Sequence, residues 1–139
     1  PEAFSLAERA AKQGHPEAMA LCGDLLLKEE GKPEKEKEAV NWYQKSADAG
    51  SADGFHGLGF CWQRGLGVEG KDPKKAVGYF REAIRRNKYH NRALYELGRC
   101  YELALGVNED LEMAEDYYRR AAEGGHVLAK RRLERMKER

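Results

Sequence analysis

An internal repeat constrains this chain more than any other feature. The segment 39–50 returns as 76–87 and again as 114–125, at offsets of 37 and 38 residues, and a fainter copy lies at 3–14. A second pattern also repeats: a small residue, an apolar residue four positions later, and then Gly. Its three copies are Ala18-Cys22-Gly23, Gly54-Leu58-Gly59 and Ala93-Leu97-Gly98. A period of this length predicts an array of stacked units.

Each half of the repeating unit has the periodicity of a helix, because its small and apolar residues recur at steps of three and four. Only six residues are β-branched and none is threonine, which also favours helices over strands. We therefore predict eight helices. The first helices of the units lie roughly at 16–29, 52–64, 91–104 and 126–138, and the second helices roughly at 2–13, 35–49, 73–87 and 110–124.

The repeated small residues predict close contact between helices. A glycine inside a helix costs about 1 kcal/mol relative to alanine, so three at one phase of the repeat need a packing explanation. The predicted packing positions are Ala18, Gly23, Gly54, Gly59, Ala93 and Gly98. Paired aromatic residues recur in the second helices and are expected to fill the volume between units. They are Trp42 with Tyr43, Tyr79 with Phe80, and Tyr117 with Tyr118.

The third unit shows the whole pattern almost without a gap. It contains Ala93 to Leu97-Gly98, Tyr101, Gly106-Val107, Ala114, Tyr117-Tyr118, Ala121-Ala122 and Gly125. This order of residues resembles the Sel1-like repeat, a relative of the tetratricopeptide repeat, and the resemblance covers nearly the whole chain. It implies an all-α fold, a right-handed α/α solenoid of stacked helical hairpins. The second unit keeps the Gly-x-Gly-Val turn of this pattern at 65–68, and the first unit departs most, because a mixed-charge loop at 28–38 stands in its place.

We predict one solenoid over residues 1–139. Residues 1–14 form the second helix of a truncated repeat, 15–50, 51–88 and 89–125 form three repeats, and 126–139 form a capping helix. In this last helix Ala129, Leu133 and Met136 make one apolar stripe, and charged residues cover the rest, as the end of a stack requires. The first helix has no earlier partner, so we expect the solenoid to continue upstream of Pro1.

Charge and composition limit the classes of partner. Charged residues make up 35% of the chain but sum to a formal +1, so no net field draws it to nucleic acid or to an anionic membrane. No apolar run approaches the roughly 20 residues that span a bilayer. Cys22, Cys61 and Cys100 are a sparse, odd set of cysteines, which favours a reducing compartment such as the cytosol, the nucleus or the mitochondrial interior.

No constellation of residues predicts catalysis, a metal or a cofactor. His15, His90 and His126 share one slot of the repeat with Ser51, just before a helix, which predicts helix caps rather than ligands of one ion. Cys61 and Cys100 also share a slot, so we expect buried free thiols. The segments 65–68 and 106–107 are predicted to be turns between helices, since no strand precedes them and no Gly-Lys-Ser/Thr follows.

Basic residues cluster at the C-terminus. The run Lys130 to Arg139 could form a patch for RNA or for an acidic protein segment, together with Arg85, Arg86, Lys88, Arg92, Arg119 and Arg120. The alternative is a solubilising cap, because acidic residues are interleaved almost everywhere else. We do not expect nucleic acid as the partner.

The resemblance implies that the first helices line a concave wall, and the stripe that avoids the small packing residues is then expected to be exposed. The predicted partner-binding residues are Asp53, His56, Phe60, Gln63, Arg92, Tyr95, Arg99 and Glu102. The equivalent stripe of the first unit is Glu17, Ala20, Asp24 and Leu27. Aromatic and arginine side chains are the composition that interfaces favour. The alternative is that Phe60 and Tyr95 pack on the adjacent helix and nothing binds there.

Two classes of function follow from this sequence. The first is a protein–protein interaction scaffold or adaptor that holds a partner segment on the concave wall. The second is a structural subunit embedded permanently in a large multiprotein or ribonucleoprotein complex, with neighbouring subunits as partners. An enzyme is not predicted.

Overall fold

A computed structural model describes residues 2–138, so Pro1 and Arg139, the two ends of the predicted array, lie outside the described residues. This part of the chain contains eight helices and no strand. The helices are α1 (Glu2–Lys12), α2 (Pro16–Leu26), α3 (Pro33–Asp48), α4 (Ala52–Arg64), α5 (Pro73–Arg86), α6 (Asn91–Leu103), α7 (Leu111–Glu123) and α8 (Val127–Lys137). The predicted all-α solenoid of eight helices is confirmed.

Proline and aspartate mark where the second helices begin. Pro33 and Pro73 occupy the first turn of α3 and α5, where a missing N–H costs nothing. The side chains of Asp72 and Asp110 accept hydrogen bonds from the backbone N–H groups of Lys75 and Met113, which caps α5 and α7. The largest error in the predicted bounds lies around the first loop, where α2 ends at Leu26 rather than near 29 and α3 begins at Pro33 rather than near 35.

Each helix packs against the next in sequence, and α2 packs also against α4. The helices therefore form antiparallel hairpins, α2 with α3, α4 with α5, and α6 with α7, preceded by α1 and followed by α8. In this arrangement the first helices, α2, α4, α6 and α8, run in one direction.

An aromatic ring lies directly against a glycine within each hairpin. A Cβ atom built on Gly23, on Gly59 or on Gly98 would come within 2.6 Å of a ring carbon. The rings are Tyr43, Phe80 and Tyr118, respectively. Because a real Cβ cannot approach a ring so closely, each hairpin reaches its helix spacing only with glycine at this position.

Glycines also bring neighbouring hairpins together. The ring of Tyr43 lies against Gly57 of the next hairpin as well as against Gly23, so it is wedged between two first helices. A Cβ on Gly54 would collide with the backbone of Ser46 and Ala47 in α3. Gly57 is a packing position that the repeat pattern did not reveal.

The remaining predicted packing residues lie in or beside this core. Ala93 is fully buried and Ala18 is half-buried. Trp42 is buried, whereas Tyr79 and Tyr117 are half-buried and stack on Phe55 and Tyr101 at centroid distances of 6.5 and 5.8 Å. The second aromatic residue of each pair thus fills the interior, and the first lies nearer the surface.

The turns within the second and third hairpins share one geometry. Gly65 and Ala104 end α4 and α6 in the left-handed conformation, with φ of 73° and 55°. Two residues later, Gly67 and Gly106 lie against backbone atoms of Glu36 and Pro73 in the preceding hairpin, leaving no room for a side chain. The segments 65–68 and 104–107 are therefore turns that also join successive units.

Both ends of the described chain combine buried alanines with exposed apolar side chains. In α1, Ala7 and Ala11 are buried while Leu6 is 57% exposed. In α8, Ala129 is buried and the half-buried Leu133 and Met136 pack against the same core, while Val127 is exposed. None of the described helices combines the length and apolar character that crossing a membrane requires.

The left-handed Ala104 generates a stability prediction. A left-handed conformation costs a residue with a Cβ about 1–2 kcal/mol, which glycine avoids. We expect Ala104→Gly to raise the free energy of unfolding by about 0.5–1 kcal/mol, the gain being reduced by the greater chain entropy of glycine. Gly65→Ala at the equivalent turn is the matched control and should lower it. Urea unfolding measures both, and a destabilised Ala104→Gly would contradict this reading of the turn.

Two glycines inside helices allow the effect of packing on stability to be measured separately from the effect of helix propensity. Gly59 faces Phe80, whereas Gly78 in α5 is exposed and a Cβ there would meet nothing within 4 Å. Both changes to alanine gain about 1 kcal/mol of helix propensity. We therefore expect Gly59→Ala to be less stable than Gly78→Ala by about 1–3 kcal/mol, the usual cost of overpacking. Equal stabilities in thermal and urea unfolding would show that the ring does not set the helix spacing.

Candidate functional site

A groove of about 380 Å³ crosses the face formed by the first helices and the turn before α8. Its residues come from α2, α3, α4, α6 and α8, so it is built by all the hairpins together. The lining residues are Asp24, Leu27, Lys28, Tyr43, His56, Gly57, Phe60, Arg92, Tyr95, Glu96, His126 and Leu128. We call this feature the central groove.

Apolar side chains make up much of the groove. Leu27 and Phe60 are half-buried, and Leu128 is 50% exposed. The guanidinium of Arg64 lies 4.8 Å from the ring centroid of Phe60. An exposed leucine beside a partly covered phenylalanine offers apolar area that a bound partner would remove from water.

Tyr95 is shared between the groove and the core. One ring contact is a stack on His126, with centroids 4.5 Å apart and planes 18° apart, and another is a tilted contact on Tyr118 at 5.8 Å. The ring therefore packs on neighbouring helices, as the alternative interpretation expected, and it also lines the groove. Phe60 likewise lines the groove and remains partly exposed.

Two aspartates and an arginine link three units at one end of the groove. Arg92 Nη1 lies 3.8 Å from Asp24 Oδ2, and Arg92 Nη2 lies 3.5 Å from Asp53 Oδ1. The hydroxyl of Tyr43 donates a hydrogen bond of 2.6 Å to Asp24 Oδ1. Burial raises the pKa of Asp24 above its usual value, against the opposing effects of Tyr43 and Arg92. Asp24 is thus a carboxylate held where water solvates it poorly.

His90 is a helix cap that also bonds to Asp53. Its Nδ1 accepts a hydrogen bond of 3.2 Å from the backbone N–H of Ala93, and its Nε2 lies 2.7 Å from Asp53 Oδ1. We infer that the proton of the neutral ring is on Nε2, since Nδ1 is the acceptor. This hydrogen bond lowers the pKa of Asp53. With both ring nitrogens engaged, the pair of His90 and Asp53 is not arranged as a general base.

The repeated slot before the first helices is confirmed as a capping position in three units. Ser51 and His126 accept hydrogen bonds from the backbone N–H groups of Asp53 and Ala129, as His90 does in its own unit. His15 stands in the same place before α2 but makes no side-chain cap bond. Three of the four slot residues thus satisfy an otherwise unpaired N–H group of a helix.

The expectation that the whole stripe is exposed is wrong at His56 and Glu102. His56 is only 8% exposed, with ring centroids of Phe80 and His90 at 5.8 and 5.3 Å. Glu102 is 5% exposed and accepts hydrogen bonds from Tyr118 Oη at 2.7 Å and Arg132 Nη1 at 3.1 Å. In both cases the second helix of the same hairpin and the following unit together cover the side chain. Ala20, the equivalent of His56 in the first unit, is buried too.

The eight predicted partner-binding residues do not meet in one place. His56, Phe60, Arg92 and Tyr95 line the central groove, and Asp53 adjoins it through Arg92. Gln63 and Arg99 instead line a separate cavity of about 300 Å³, together with Arg64, Lys71, Pro73 and Leu105. Arg99 is engaged there in an ion pair of 3.0 Å with Glu96. Whether any of these residues binds a partner stays a prediction.

Several residues of the groove were not predicted from the sequence. They are Lys28, Tyr43, Gly57, Glu96, His126 and Leu128, of which Tyr43 was assigned to packing alone. Leu128 had a signal that could have revealed it, because it occupies in α8 the position that Arg92 occupies in α6. Extending the stripe into the last helix would have included it.

The cysteines are confirmed as free and buried. Burial raises the pKa of Cys61 and of Cys100 to about 12, so both are neutral thiols rather than reactive thiolates. Within residues 2–138, no group of three or more His, Cys, Asp or Glu side chains is placed to hold a metal ion.

The basic residues of the sequence do not form one patch on the described structure. Arg85 and Arg86 pair with Glu82, and Arg119 pairs with Glu115. Arg92 lies in the central groove near its two aspartates. The C-terminal run is divided among the faces of α8, and its last residue, Arg139, lies outside the described residues.

The repeat pattern and the hairpins are matched by a known family. The family model for the Sel1 repeat matches residues 1–15, 16–51, 56–88 and 91–126. The chain belongs to the Sel1 repeat family. The crystal structure of a Sel1 repeat protein from Oxalobacter formigenes is similar to it, with a TM-score of 0.82 and 30% sequence identity, covering 94% of this chain and 51% of that protein.

The curated relatives that are similar to this chain are much longer than it. An uncharacterised protein of Neisseria meningitidis serogroup B is 31% identical over 124 residues, which is 89% of this chain and 25% of the relative. DAP3-binding cell death enhancer 1 of Rattus norvegicus is 35% identical over 103 residues, 73% of this chain and 19% of the relative. The chain thus spans a quarter or less of the length of these curated relatives.

The buried His56 generates a prediction about pH. Burial lowers its pKa to about 3, so between about pH 6.5 and pH 3 the unfolded chain binds a proton that the folded protein excludes. Stability must therefore fall as the pH falls through this window. At about 1.4 kcal/mol per pH unit below 6.5, His56 accounts for a loss of about 2 kcal/mol at pH 5. In His56→Phe, the difference in unfolding free energy between pH 7.5 and pH 5 should shrink by this amount. An unchanged difference in urea titrations would contradict the burial of a neutral imidazole.

Proposed function

We propose that this Sel1 repeat array is a protein-interaction scaffold whose central groove binds an extended segment of a partner protein. The observation that carries the proposal is the groove itself, where first helices from successive hairpins present Leu27, Phe60, Tyr95 and Leu128 side by side. Apolar and aromatic groups with a few polar ones are what a peptide site requires.

The dimensions of the face suit an extended polypeptide. Parallel helices of neighbouring hairpins lie about 10 Å apart, so the helix axes from α2 to α8 span roughly 30 Å. The face itself is shorter, because Arg92 of α6 reaches Asp24 of α2. An extended segment advances about 3.3 Å per residue, and at most about nine residues therefore cross it. A segment of this length touches every hairpin at once and reads a different set of side chains at each.

The family relationship supports the same proposal. One relative is named for binding another protein, DAP3, and its similarity covers 73% of this chain. That property belongs to the relative and identifies no partner here. We further propose that the chain meets its partner in a reducing compartment, because its cysteines are buried free thiols.

A second candidate function is favoured by apolar side chains outside the groove. Leu6, Leu21, Tyr89 and Val127 are 57%, 46%, 73% and 62% exposed. Such residues would be covered in a structural subunit that is embedded among neighbours in a large complex. A chain that binds no peptide in the groove but associates with fixed neighbours through these residues would favour this candidate.

Leu128 and Val127 provide a matched test of the groove. They are adjacent and similarly exposed, but only Leu128 lines the groove. We would select twelve-residue peptides from a random phage-displayed library on the chain and measure their affinities by fluorescence anisotropy. We expect Leu128→Glu to weaken binding about tenfold or more, since a buried leucine contributes about 1.5–3 kcal/mol. Val127→Glu should change it by about twofold or less.

The other outcomes decide between the two candidates. Equal weakening by both substitutions would place the peptides at the end of the array rather than in the groove. Failure to select any peptide would overturn the groove as a peptide site. The melting temperatures of both variants should match that of the unaltered chain, because neither side chain is buried.

A further inference from the structure

Equivalent positions of the first helices change charge from one end of the groove to the other. One register contains Glu17 in α2, Asp53 in α4, Arg92 in α6 and Leu128 in α8. A second register contains Asp24, Phe60, Arg99 and Arg135 in the same order. Acidic residues therefore stand in α2 and α4, and basic residues stand in α6 and α8. The two arginines of α6 are already engaged, Arg92 with Asp24 and Asp53 and Arg99 with Glu96, so the unpaired basic charge of these registers is on α8.

The acidic end retains negative charge after its internal contacts are counted. Arg92 is shared between Asp24 and Asp53, which leaves one net negative charge on the three groups. Its 3.8 Å separation from Asp24 is too long for a hydrogen bond, so Asp24 Oδ2 can accept one from a ligand. Glu17 is exposed and adds to the negative charge.

Two basic side chains near this end do not reverse its sign. Lys28 lines the groove at the C-terminal end of α2, and Arg64 lies beside Phe60 at the end of α4. Glu30 and Glu36 line the adjoining cavity with Arg64. Together with Glu17, Asp24 and Asp53 they make five carboxylates near this end, against the three cations Lys28, Arg64 and Arg92. The α2 and α4 end therefore remains the acidic one.

The basic end is on α8. Arg131 and Arg135 follow Leu128 at steps of three and seven residues, which places them on the same side of α8 as Leu128, the α8 residue that lines the groove. Both are exposed, and no ion pair joins either of them to another residue in 2–138. They offer two unneutralised guanidinium groups beside an apolar leucine.

We propose, on the basis of the function proposed above, that the groove selects partner segments with a basic residue at one end and acidic residues at the other. The basic residue of the partner binds near Asp24 and Asp53, an apolar residue fills the space between Phe60, Tyr95 and Leu128, and the acidic residues bind Arg131 and Arg135. The width of the face places the two charged ends roughly six to nine residues apart. Complementary charge fixes which partners are accepted and which way they lie.

The test compares the peptides that different variants select from the random twelve-residue library. The unaltered chain should enrich peptides with a basic residue, a central apolar residue and an acidic pair in that arrangement. Arg131→Glu with Arg135→Glu makes both ends acidic, so its selected peptides should exchange the acidic pair for basic residues. Peptides selected on the unaltered chain should lose about tenfold or more in affinity for this variant, since charge repulsion at two positions costs at least about 1.4 kcal/mol.

A control on the same helix separates position from total charge. Lys130 and Lys137 lie on the side of α8 opposite to Leu128, at steps of two and nine residues. Lys130→Glu with Lys137→Glu alters the net charge by the same amount and should leave the selected pattern unchanged. If this control shifts the pattern equally, net charge rather than the groove face is responsible and the proposal is overturned. Circular dichroism verifies that both double variants fold, and Arg131→Gln with Arg135→Gln serves as a milder pair.

Four further outcomes are distinguishable. Enrichment of apolar peptides without a charge pattern would leave the peptide-binding groove standing and overturn the charge selectivity alone. No enrichment on any variant would overturn the proposed function and this inference with it. Dimerisation through the groove, measured by light scattering, or RNA binding that depends on Arg131 and Arg135 would assign the face to a second copy or to nucleic acid, and either would overturn the proposal.

Discussion

The contact of an aromatic ring with a glycine of the facing helix is the constraint on which the rest of this structure depends. It occurs once in each hairpin, and a Cβ on Gly23, Gly59 or Gly98 would lie 2.6 Å from a ring carbon. The ring fills the space that the missing side chain leaves, so the two helices of a hairpin approach closely without a void. Because the ring side of each first helix is used in this way, a different stripe of the same helix is left to face the groove.

That division explains how one repeated fold can present different surfaces. The ring position is occupied by aromatic residues alone, Tyr43, Phe80 and Tyr118. One register along the groove is instead occupied by two acidic residues, a basic residue and a leucine: Glu17, Asp53, Arg92 and Leu128. A change in the first set alters the spacing between helices, and a change in the second alters only what the groove contacts. The positions that hold the array together and the positions that can choose a partner are therefore different side chains of the same helices.

The repeat pattern predicts the hairpins because their cause is local: the small residue and the ring recur at one phase, and the helix period is visible within each copy. It does not predict Gly57, which lies against the ring of Tyr43 and whose counterparts in the other units, Leu21, Glu96 and Arg132, are not glycines. His56 and Glu102 were expected to be exposed because a stripe on one helix says nothing of what the next unit covers. Burial in a stacked array depends on the neighbouring hairpin, and that information is spread over sequence separations of about one repeat.

The middle hairpin shows how a difference between copies follows from its surroundings. Tyr43 and Tyr118 each donate a hydrogen bond to a carboxylate of their own first helix, Asp24 and Glu102. The equivalent positions in α4 are Phe60 and Gln63, so no carboxylate is available there, and the ring is the hydroxyl-free Phe80. Among the described side chains, the buried Oε1 of Gln63 accepts no hydrogen bond, which is the counterpart of the hydroxyl that Phe80 lacks. Because Phe80 has no hydroxyl, this acceptor lacks the donor that Tyr118 supplies to Glu102, and a buried acceptor without a partner is costly. The exchange of Asp24 for Phe60 also replaces a charged position by an apolar one, so the packing of the middle hairpin and the apolar centre of the groove have a common origin.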